Sequence, residues 1–426
     1  MNGYSGRLGR FARWLLPLWW VYDRLLPKRR DHWAFFVHPL KPDQFIENSR
    51  AVFEQVKNDP ALCKVVFTRG RVSGLRLEDS CNLKIVDVQS VTGLCALARC
   101  GVLLLTNSIA LDISWRWSDG SFVVLRPDYT RRIVVNLWHG IPLKRLFALT
   151  RPELRQHVDR IELRRKERAH YHGLISSSDV DSHAMAAMFH PIDPSCVWVT
   201  GLPRNDFLRR GESDLPAFLR DEIQAVRALK QGRKLIVYAP TYRESSVAAA
   251  QYYQFSDDEI ERLRALLRKH SAVLGFRMHY FRKGEQLFNL ERYIDGDTIV
   301  DLGHTRINEI APVLREADLL VTDYSSVYID ALYIDKPVFS FAYDLEHYQS
   351  QQNGLLYDME LAFPGPVVTT FTELLVALEQ ELLQPEQVAS MRYRIARKFF
   401  FNHQDDCNAA RVVSRLKSLM AEAQNG

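Results

Sequence analysis

The 426-residue sequence has few cysteines, and they form no metal-binding or redox pattern. No two of them make a CxxC pair, and none is followed by a histidine at the spacing of a zinc site. In a chain of this length, such a pattern predicts small buried thiols in a reducing compartment rather than a disulfide framework. The six cysteines are Cys63, Cys81, Cys95, Cys100, Cys196 and Cys407.

The sequence also lacks the short motifs of three large enzyme classes. It has no GxxxxGK[ST] loop, no GxGxxG turn after a strand and no GxSxG elbow. These absences argue against a P-loop nucleotidase, a dinucleotide oxidoreductase and an α/β-hydrolase. A composition of 47% hydrophobic and 25% charged residues is that of an ordinary globular protein, which excludes collagen-like and mostly disordered chains.

Excess positive charge is absent from most of the chain and is concentrated at the N-terminus. The formal net charge is +5. Residues 1–30 alone contribute +6, with seven basic side chains against Asp23, so the remainder sums to −1. A nucleic-acid-binding protein is expected to spread a basic face over its folded body. The sequence therefore predicts no nucleic-acid partner.

Residues 11–26 read FARWLLPLWWVYDRLL, and they predict contact with a membrane surface rather than a membrane span. A spanning helix needs about 20 mostly apolar residues, whereas this stretch is shorter and contains Arg13, Asp23 and Arg24. Tryptophans beside arginines favour the lipid headgroup region. We therefore expect residues 7–30 to hold the protein at the cytoplasmic face of the inner membrane as a peripheral anchor. The alternative is a helix packed on the body of the protein.

Short apolar runs alternate with helical segments in two successive series, which predicts an α/β fold with parallel sheets. We expect two Rossmann-like, doubly wound domains facing a central cleft, over residues 31–213 and 233–426, with a charged helical linker at 214–232. The predicted strands cover residues 33–37, 64–68, 83–88, 102–106 and 133–137 in the first series, then 234–238, 272–277, 298–301, 319–322 and 338–341.

A histidine follows a predicted strand in each series. IVVNLWHG ends with His139 and Gly140, and AVLGFRMH ends with His279. Imidazole serves as an acid or a base near neutral pH. Because ligands of such sheets bind beyond the carboxyl ends of the strands, two facing domains would bring both histidines to one cleft. The alternative for each histidine is a hydrogen bond to a loop carbonyl.

The stretch from residue 319 to 341 predicts an anion site. Asp323 follows a strand, and Ser325 and Ser326 open a helix. The free N–H groups of a first helical turn, with two hydroxyls beside them, suit a diphosphate, while simple helix capping is the alternative. Polar residues in other loops fit the same substrate: Thr241 and Arg243 for phosphate, Glu346 for ribose hydroxyls, Lys144 as a cation, and Arg204, Asn205 and Asp206 in an acceptor or donor loop.

Six ordered segments resemble the motif set of the CDP-glycerol glycerophosphotransferase family, which comprises teichoic-acid primases and polymerases and related capsule polymerases. The resemblance extends over roughly residues 33–411. The segments are NLWHGIPLKRL (136–146), ISSSDVDSHAM (175–185), TGLPRNDFL (200–208), YAPTYR (238–243), FRMHY (276–280) and TDYSSVYIDALYIDKPVFSFAYDLEHY (322–348).

The resemblance implies a GT-B arrangement and transfer of glycerol phosphate from CDP-glycerol to a hydroxyl of a lipid-linked or polymeric acceptor, with release of CMP. It implies that His139 and His279 are essential. It also implies a donor site in which Asp323, Ser325 and Ser326 lie at the phosphates. The residues that would line the nucleotide pocket are Arg243, Arg277, Thr241 and Glu346.

The sequence departs from the family pattern at Ile141, Tyr280 and the pair Asp405-Asp406, which leaves donor and acceptor identity open. The alternatives are a CDP-ribitol phosphotransferase, a GT-B nucleotide-sugar glycosyltransferase, and a catalytically silent membrane-associated binding protein. No cluster of ligating side chains calls for a metal or another cofactor, although a diphosphate can bring its own Mg²⁺.

Overall fold

The computed structural model describes residues 7–38, 41, 44–70, 74–150, 158–241, 252–278, 288–351 and 354–425. The chain forms two compact units. The first comprises Met1–Gly140, Phe147–Phe207 and Asp405–Gly426, and the second comprises Ile141–Leu146 and Leu208–Gln404. The two-unit division agrees with the prediction, but the boundaries differ, because short segments of each unit lie far along the chain from the rest of it.

The first unit is built on a parallel sheet of seven strands in the order β3-β2-β1-β4-β7-β8-β9. Its central strands are buried, as expected for a parallel sheet covered on both faces. All five predicted strands of this half are confirmed, whereas the short strands β8 and β9 were not predicted. The strands are β1 (Arg29–Phe36), β2 (Cys63–Thr68), β3 (Leu83–Asp87), β4 (Cys100–Leu105), β7 (Ile133–Asn136), β8 (Gly173–Ser176) and β9 (Val197–Val199), with a separate antiparallel pair β5 (Trp115–Arg116) and β6 (Phe122–Val123).

Helices connect the strands of this unit and cover the sheet. Several begin at a serine whose hydroxyl accepts a backbone N–H, as Ser90 does from Gly93 at 2.9 Å. They are α1 (Leu16–Leu25), α2 (Glu47–Val56), α3 (Val91–Arg99), α4 (Ile109–Asp112), α5 (Val158–Arg168), α6 (Asp179–Met188), α7 (Asp206–Arg209), which runs into the second unit, and the last helix of the chain, α16 (Asn408–Asn425).

The N-terminal helix α1 packs on the first unit through one face. Leu16 and Trp19 are buried on that face, and the Trp19 indole N–H donates to the Leu94 carbonyl at 3.1 Å. The opposite face exposes a row of large apolar side chains, described below. Within the described part of the chain, no helix combines the length and the apolar character required to cross a membrane.

A buried charge network fixes α1 to the rest of the unit. Asp23 accepts hydrogen bonds from both terminal nitrogens of Arg132, at 3.1 and 2.5 Å. Lys28 Nζ lies 3.0 Å from Asp23 Oδ1, and the Asp128 backbone N–H donates to Oδ2 at 2.8 Å. All three charged side chains are almost completely buried. Because a buried carboxylate needs such partners, this network determines where α1 docks.

The second unit repeats the architecture with a parallel sheet in the order β12-β11-β10-β13-β14-β15. All five strands predicted in this half are confirmed. The strands are β10 (Lys234–Tyr238), β11 (Ala272–Phe276), β12 (Ile299–Asp301), β13 (Leu319–Thr322), β14 (Val338–Phe341) and β15 (Val367–Val368). The helices are α8 (Ala217–Lys230), α9 (Asp257–Lys269), α10 (Ile310–Glu316), α11 (Val327–Tyr333), α12 (Leu345–Gln351), α13 (Met359–Ala362), α14 (Phe371–Leu383) and α15 (Met391–Phe400).

Two domain boundaries differ from the prediction. The segment 214–232, predicted as a linker, is mostly helix α8, which buries Phe218 and Ile223 within the second unit. Helix α16, predicted to end the second domain, belongs to the first unit. The Asp206 carboxylate explains this placement: it accepts the backbone N–H groups of Asn408 and Ala409, each at 2.9 Å, and so caps the first turn of α16.

We expect the substitution Asp206→Ala to destabilise the first unit by about 1–2 kcal/mol, because it leaves two N–H groups of the α16 terminus without their acceptor. Urea unfolding followed by circular dichroism measures the loss. Asp206→Asn keeps one side-chain oxygen and is expected to lose less. Equal stability of Asp206→Ala and the wild type would show that the cap contributes nothing.

Candidate active site

Each sheet carries polar side chains at the carboxyl ends of its central strands, where the strand order reverses. In the first unit His38 follows β1, Thr106 follows β4 and His139 follows β7. In the second unit Thr241 follows β10 and Asp323 follows β13. Ligands of open α/β sheets bind outside this edge, beside the reversal. Each unit therefore has a candidate site where the sequence analysis expected one.

His139 lies in a tightly held loop directly after β7. Trp138 has a φ of 46°, in the left-handed region that a bulky residue rarely adopts. Its backbone N–H donates to Asn136 Oδ1 at 2.8 Å, and the centroids of the Trp138 and His139 rings are 3.9 Å apart. Strained backbone of this kind persists only where the surroundings hold it. The loop therefore gives the His139 imidazole a defined position.

The surroundings of His139 keep its imidazole neutral. Burial lowers the pKa of His139 to about 4; Glu47 opposes that change, while His38 and Arg204 act in the same direction as burial. A histidine with this pKa is unprotonated at neutral pH, which is the form that accepts a proton. The structure thus gives His139 the protonation state required of a general base.

Asn48, a buried residue of α2, holds the His139 loop through two hydrogen bonds and contacts Arg204 through a third. Its side-chain amide donates to the carbonyls of Leu137 at 2.9 Å and Trp138 at 3.1 Å. Its Oδ1 accepts the backbone N–H of Arg204 at 3.0 Å, and Arg204 Nη1 in turn donates to the His139 carbonyl at 2.9 Å. Asn48 thereby joins the loop after β7 to the loop after β9.

Sequence reasoning missed Asn48 and His38. A single asparagine in a helical segment gives no signal, because its hydrogen bonds are to residues far along the chain. His38 could have been found, since it directly follows the predicted strand 33–37 and therefore falls at the same sheet edge as His139.

The loop 201–206 divides into residues with different roles. Arg204 contacts the backbone of His139, as described, and so supports the site. Asn205 is completely buried in a 3₁₀ turn, and Asp206 is buried as the cap of α16. The Asp206 carboxylate thus stabilises the last helix. Contact of Asn205 or Asp206 with an acceptor or donor stays a prediction.

Asp323 connects the ends of two strands in the second unit. Its Oδ1 accepts the backbone N–H groups of Thr241 at 2.8 Å and Tyr324 at 2.5 Å, and its backbone carbonyl accepts the Ser340 hydroxyl at 3.0 Å. Thr241, like Asp323, is buried. These bonds position the loop 323–326 rather than leaving the carboxylate as a surface group.

Ser325 and Ser326 lie partly exposed at the start of α11. The Val327 backbone N–H contacts the Ser325 hydroxyl at 3.4 Å, and Ser326 precedes the helix without using its own hydroxyl as a cap. Both hydroxyls therefore lie at the carboxyl end of β13, where a phosphate was expected. Their contact with a donor phosphate stays a prediction.

Arg277 bonds a loop of the second unit through both of its terminal nitrogens. Nη1 donates to the carbonyls of Leu302, at 2.7 Å, and of Ile307. Nη2 donates to the Asn308 carbonyl at 3.2 Å and lies 3.0 Å from His304 Nδ1. Because both terminal nitrogens are engaged and the residue is buried, Arg277 holds the loop 302–308 in place. Its contact with a nucleotide stays a prediction.

Lys144 lies close to the aromatic residues that support the loop 323–326. Its Nζ is 5.4 Å from the centroid of the Tyr348 ring, which stacks on Tyr324 at 4.1 Å. The Tyr324 hydroxyl donates to Asp344 Oδ1 at 3.1 Å. Lys144 thus contributes a cation to the second unit, and its contact with a substrate stays a prediction. Glu346 is exposed in the first turn of α12, and its ribose contact stays a prediction.

Two predicted site residues, His279 and Arg243, lie outside the described residues. Within the ranges that the structure does describe, no three His, Cys, Asp or Glu side chains come together as a metal site. A Mg²⁺ ion carried by a bound diphosphate stays a prediction.

Comparisons with known proteins agree with the motif order and the fold. Similarity to a teichoic acid poly(glycerol phosphate) polymerase of Bacillus subtilis (strain 168) extends over 344 residues at 27% identity, which is 79% of this chain and 42% of that protein. A teichoic acid ribitol-phosphate primase of Bacillus spizizenii (strain ATCC 23059 / NRRL B-14472 / W23) is 24% identical over 406 residues, or 94% of each chain. A structure of the wall teichoic acid polymerase TagF aligns with a TM-score of 0.75 at 19% identity, over 96% of this chain and 94% of that one.

The conclusion that each match supports for this chain depends on how much of the two proteins it covers. The chain spans about half the length of several polymerase relatives, at 42%, 52% and 47% of their residues. The TagF likeness, at its low identity, supports the fold. The profile of CDP-Glycerol:Poly(glycerophosphate) glycerophosphotransferase, in contrast, matches residues 22–418, which is nearly the whole sequence. The chain therefore belongs to the CDP-glycerol:poly(glycerophosphate) glycerophosphotransferase family.

Proposed function

We propose that this protein transfers glycerol phosphate from CDP-glycerol to a hydroxyl of a lipid-linked or polymeric acceptor and releases CMP, in the synthesis of a teichoic-acid-like or capsule polymer. The observation that carries the proposal is a neutral histidine, His139, held at the carboxyl end of a central strand in a member of this family. One TagF structure combines a histidine-to-asparagine substitution with CDPG, which agrees with a histidine-dependent reaction of such a donor.

In the proposed reaction, His139 takes the proton of the acceptor hydroxyl as its oxygen attacks the β-phosphorus of the donor. The bond from the β-phosphorus to the bridging oxygen breaks, and that oxygen leaves with CMP. Ser325, Ser326 and His279 would donate hydrogen bonds or charge to the phosphates, where preorganised donors contribute about 3–4 kcal/mol each. The proposal includes a GT-B arrangement in which the two strand-end sites face one cleft.

CDP-ribitol is the second candidate donor, because the ribitol-phosphate primase of B. spizizenii matches this chain over 94% of its length. The two donors differ only beyond the β-phosphate. The purified full chain should therefore be given CDP-glycerol or CDP-ribitol separately, each with a lipid-linked polyol-phosphate acceptor, while CMP release is measured. We expect release from CDP-glycerol. Release from CDP-ribitol alone would change the donor, and release from neither would contradict polyol-phosphate transfer.

We further propose that residues 7–30 bind the surface of the inner membrane, where a lipid-linked acceptor is located. Large apolar side chains on this segment are strongly exposed: Trp14 is 71%, Leu18 70% and Leu25 76% exposed. Arg13 lies 5.3 Å from the Trp14 ring, and Arg10 is also exposed. An apolar face flanked by arginines suits insertion among anionic headgroups. On the other face, Trp19 and Asp23 are buried against the body of the protein. The segment therefore packs on the body and also presents an apolar surface.

Replacing Trp14 and Leu18 together with glutamate is expected to weaken binding to vesicles at least about tenfold, because each apolar side chain contributes about 1.5–3 kcal/mol when fully buried. Cosedimentation with vesicles of phosphatidylglycerol and a neutral lipid measures the effect. Leu361→Glu, at an exposed leucine of the second unit, is the matched control and should bind as the wild type does. Equal binding by all three proteins would contradict the anchor.

A further inference from the structure

A small cavity lies beside the His139 loop in the first unit. The Trp138 side chain forms part of its wall, and the other residues that line it come from the same unit. The cavity has a volume of about 40 Å³. Since one water needs about 10–15 Å³, the space suits a compact group about as large as three waters. The proposed mechanism does not use this cavity.

Arg168, the last residue of α5, is a buried cation in the wall of this cavity. It is 6% exposed, and burial lowers its pKa to about 10, so it remains charged at neutral pH. Its Nη1 is 3.4 Å from the Met188 carbonyl, longer than an ordinary hydrogen bond. Among the described residues, no carboxylate forms an ion pair with it. Because a buried charge without a counter-ion is costly, Arg168 indicates an anionic ligand.

Two phenyl rings hold the Arg168 guanidinium in place. It lies 4.2 Å from the ring centroid of Phe147 and 5.0 Å from that of Phe189. A cation–π contact uses the charge of the guanidinium but none of its five N–H donors. Phe147 has a φ of 51° and, like Trp138, is held in the left-handed region, which is common at functional sites. The cation is therefore fixed in position while most of its donors remain available.

A second arginine and one acid also line the cavity. Arg164 lies one helical turn before Arg168, and it too forms no ion pair with a described residue. Glu167 accepts the Tyr171 hydroxyl at 2.5 Å through Oε1. Burial raises the pKa of Glu167 to about 7, so its carboxyl is uncharged in a substantial fraction of molecules at neutral pH. The described lining therefore carries a net positive charge.

The cavity lies close to the proposed base. The rings of His139, Trp138 and Phe147 and the guanidinium of Arg168 are successive neighbours, with separations of 3.9, 5.6 and 4.2 Å. In a polyol-phosphate acceptor, the hydroxyl that gives its proton to His139 belongs to a polyol whose other end carries a phosphate. A cationic cavity this near to the base suits that phosphate, whereas the donor phosphates are expected in the second unit.

We propose that this cavity is an acceptor subsite, in which Arg168 and Arg164 bind a phosphate that precedes the attacking hydroxyl. This inference rests on the proposed function and deepens it, because it requires an acceptor that bears a phosphate. That phosphate belongs to the polyol-phosphate chain or to the lipid linkage, and both offer the same anion to the two arginines. Binding forms charge-assisted hydrogen bonds and no covalent bond.

The test is Arg168→Gln, which removes the charge and the forked donors. Calorimetric titration of the full chain with a soluble oligo(glycerol phosphate), without donor, should show binding at least about tenfold weaker than in the wild type. In the CMP-release assay, the KM for the acceptor should rise by a similar factor while the KM for CDP-glycerol is unchanged. Arg168→Lys, which retains the charge, should lose less. A polyprenyl diphosphate without a polyol chain is titrated separately, and dependence of this probe alone on Arg168 would assign the phosphate to the lipid linkage.

Arg165→Gln is the matched control, because Arg165 is exposed on the same helix and is not among the described residues that line the cavity. It should bind both probes as the wild type does. Arg164→Gln, at a less buried position, decides the question if circular dichroism shows that Arg168→Gln does not fold.

Two results would overturn the inference, even in an active enzyme. One is a wild type that binds neither probe, and the other is a set of folded arginine variants that bind both probes as tightly as the wild type. A wild type that binds a probe through these arginines but releases no CMP would instead refute the proposed function and leave the anion site established.

Discussion

Replacing His139 with glutamine is expected to lower CMP release from CDP-glycerol by about 10³-fold, while donor binding is retained. A general base in a defined position contributes about 10²–10⁴-fold to a proton-transfer step. Glutamine has nearly the volume of histidine but cannot take the proton. The backbone bonds that hold the loop, from Asn48 and Arg204 to residues 137–139, involve no His139 side-chain atom. The loss should therefore appear in kcat and leave the KM for the donor close to that of the wild type.

The pH dependence offers an independent check on the same residue. Because the pKa of His139 is about 4 in the free protein, its neutral form predominates above that pH. We expect kcat/KM to be flat with respect to His139 near neutral pH and to fall only below about pH 5. An anionic donor beside the ring favours its protonated form, so the limb in kcat should lie at higher pH than the limb in kcat/KM.

His170→Gln is the control for this experiment, since His170 is exposed on the same unit. Among the described residues, Tyr129 is the one aromatic side chain whose ring contacts it. The His170→Gln protein should have wild-type kinetics. A His139→Gln protein that is folded and releases CMP at the wild-type rate would refute the role of base and direct attention to His279.

Replacing Asp23 with alanine is expected to cost about 3–5 kcal/mol of unfolding free energy, because it leaves the buried charges of Arg132 and Lys28 without their carboxylate. Both are almost completely buried, and both contact Asp23. Since Asp23 is the charged residue that docks α1, the helix should also separate from the unit. Urea unfolding measures the first effect, and faster proteolysis within residues 7–30 measures the second.

The same carboxylate predicts a stability change in acid. Burial raises the pKa of Asp23, but the hydrogen bond and charge of Arg132, with the hydrogen bonds of Asp128 and Lys28, together outweigh it, so the pKa in the folded protein lies below its unfolded value. The stabilisation is therefore present above the unfolded pKa and is lost as pH falls through the folded pKa. Asp119→Ala, which removes the exposed partner of Arg10, should have little effect at any pH. If Asp23→Ala unfolded with the wild-type midpoint, the network would have no stabilising role.

Much of the fold could be predicted because its strands are nearly continuous apolar runs separated by helical segments. The ten predicted strands all exist, because runs such as those around Phe35 and Leu104 are apolar on both faces, as the strands of a covered parallel sheet are. Strands such as β8 (GLIS) and β15 (VV) were missed because short or polar segments become strands only through their neighbours. The domain limits were wrong at α16 for a similar reason: the Asp206 cap joins residues some 200 positions apart.

The candidate site residues divide in the same way, into those indicated by the local sequence and those whose role depends on residues far along the chain. His139, Ser325 and Ser326 could be proposed because each lies within a few residues of the end of a predicted strand. Arg277 occupies such a position too, but its guanidinium is engaged by the carbonyls of a loop some 25 residues later. Asn48 was invisible because its partners come from other parts of the sequence. Strand ends are thus readable from sequence, while the hydrogen bonds that determine a side chain's role are not.

The place of α16 in the first unit has a consequence for how the protein matures during translation. Proteins emerge from the ribosome N-terminus first, so all of Leu208–Gln404 is synthesised before Asn408 can meet Asp206. Until then Asp206 has no contact with the last helix. Asp206 lies in the same loop as Arg204, which donates to the His139 carbonyl. A nascent chain can form most of the first sheet early, but the surroundings of His139 are completed last. The loop beside His139 therefore gains its full set of contacts only after the second unit has been synthesised.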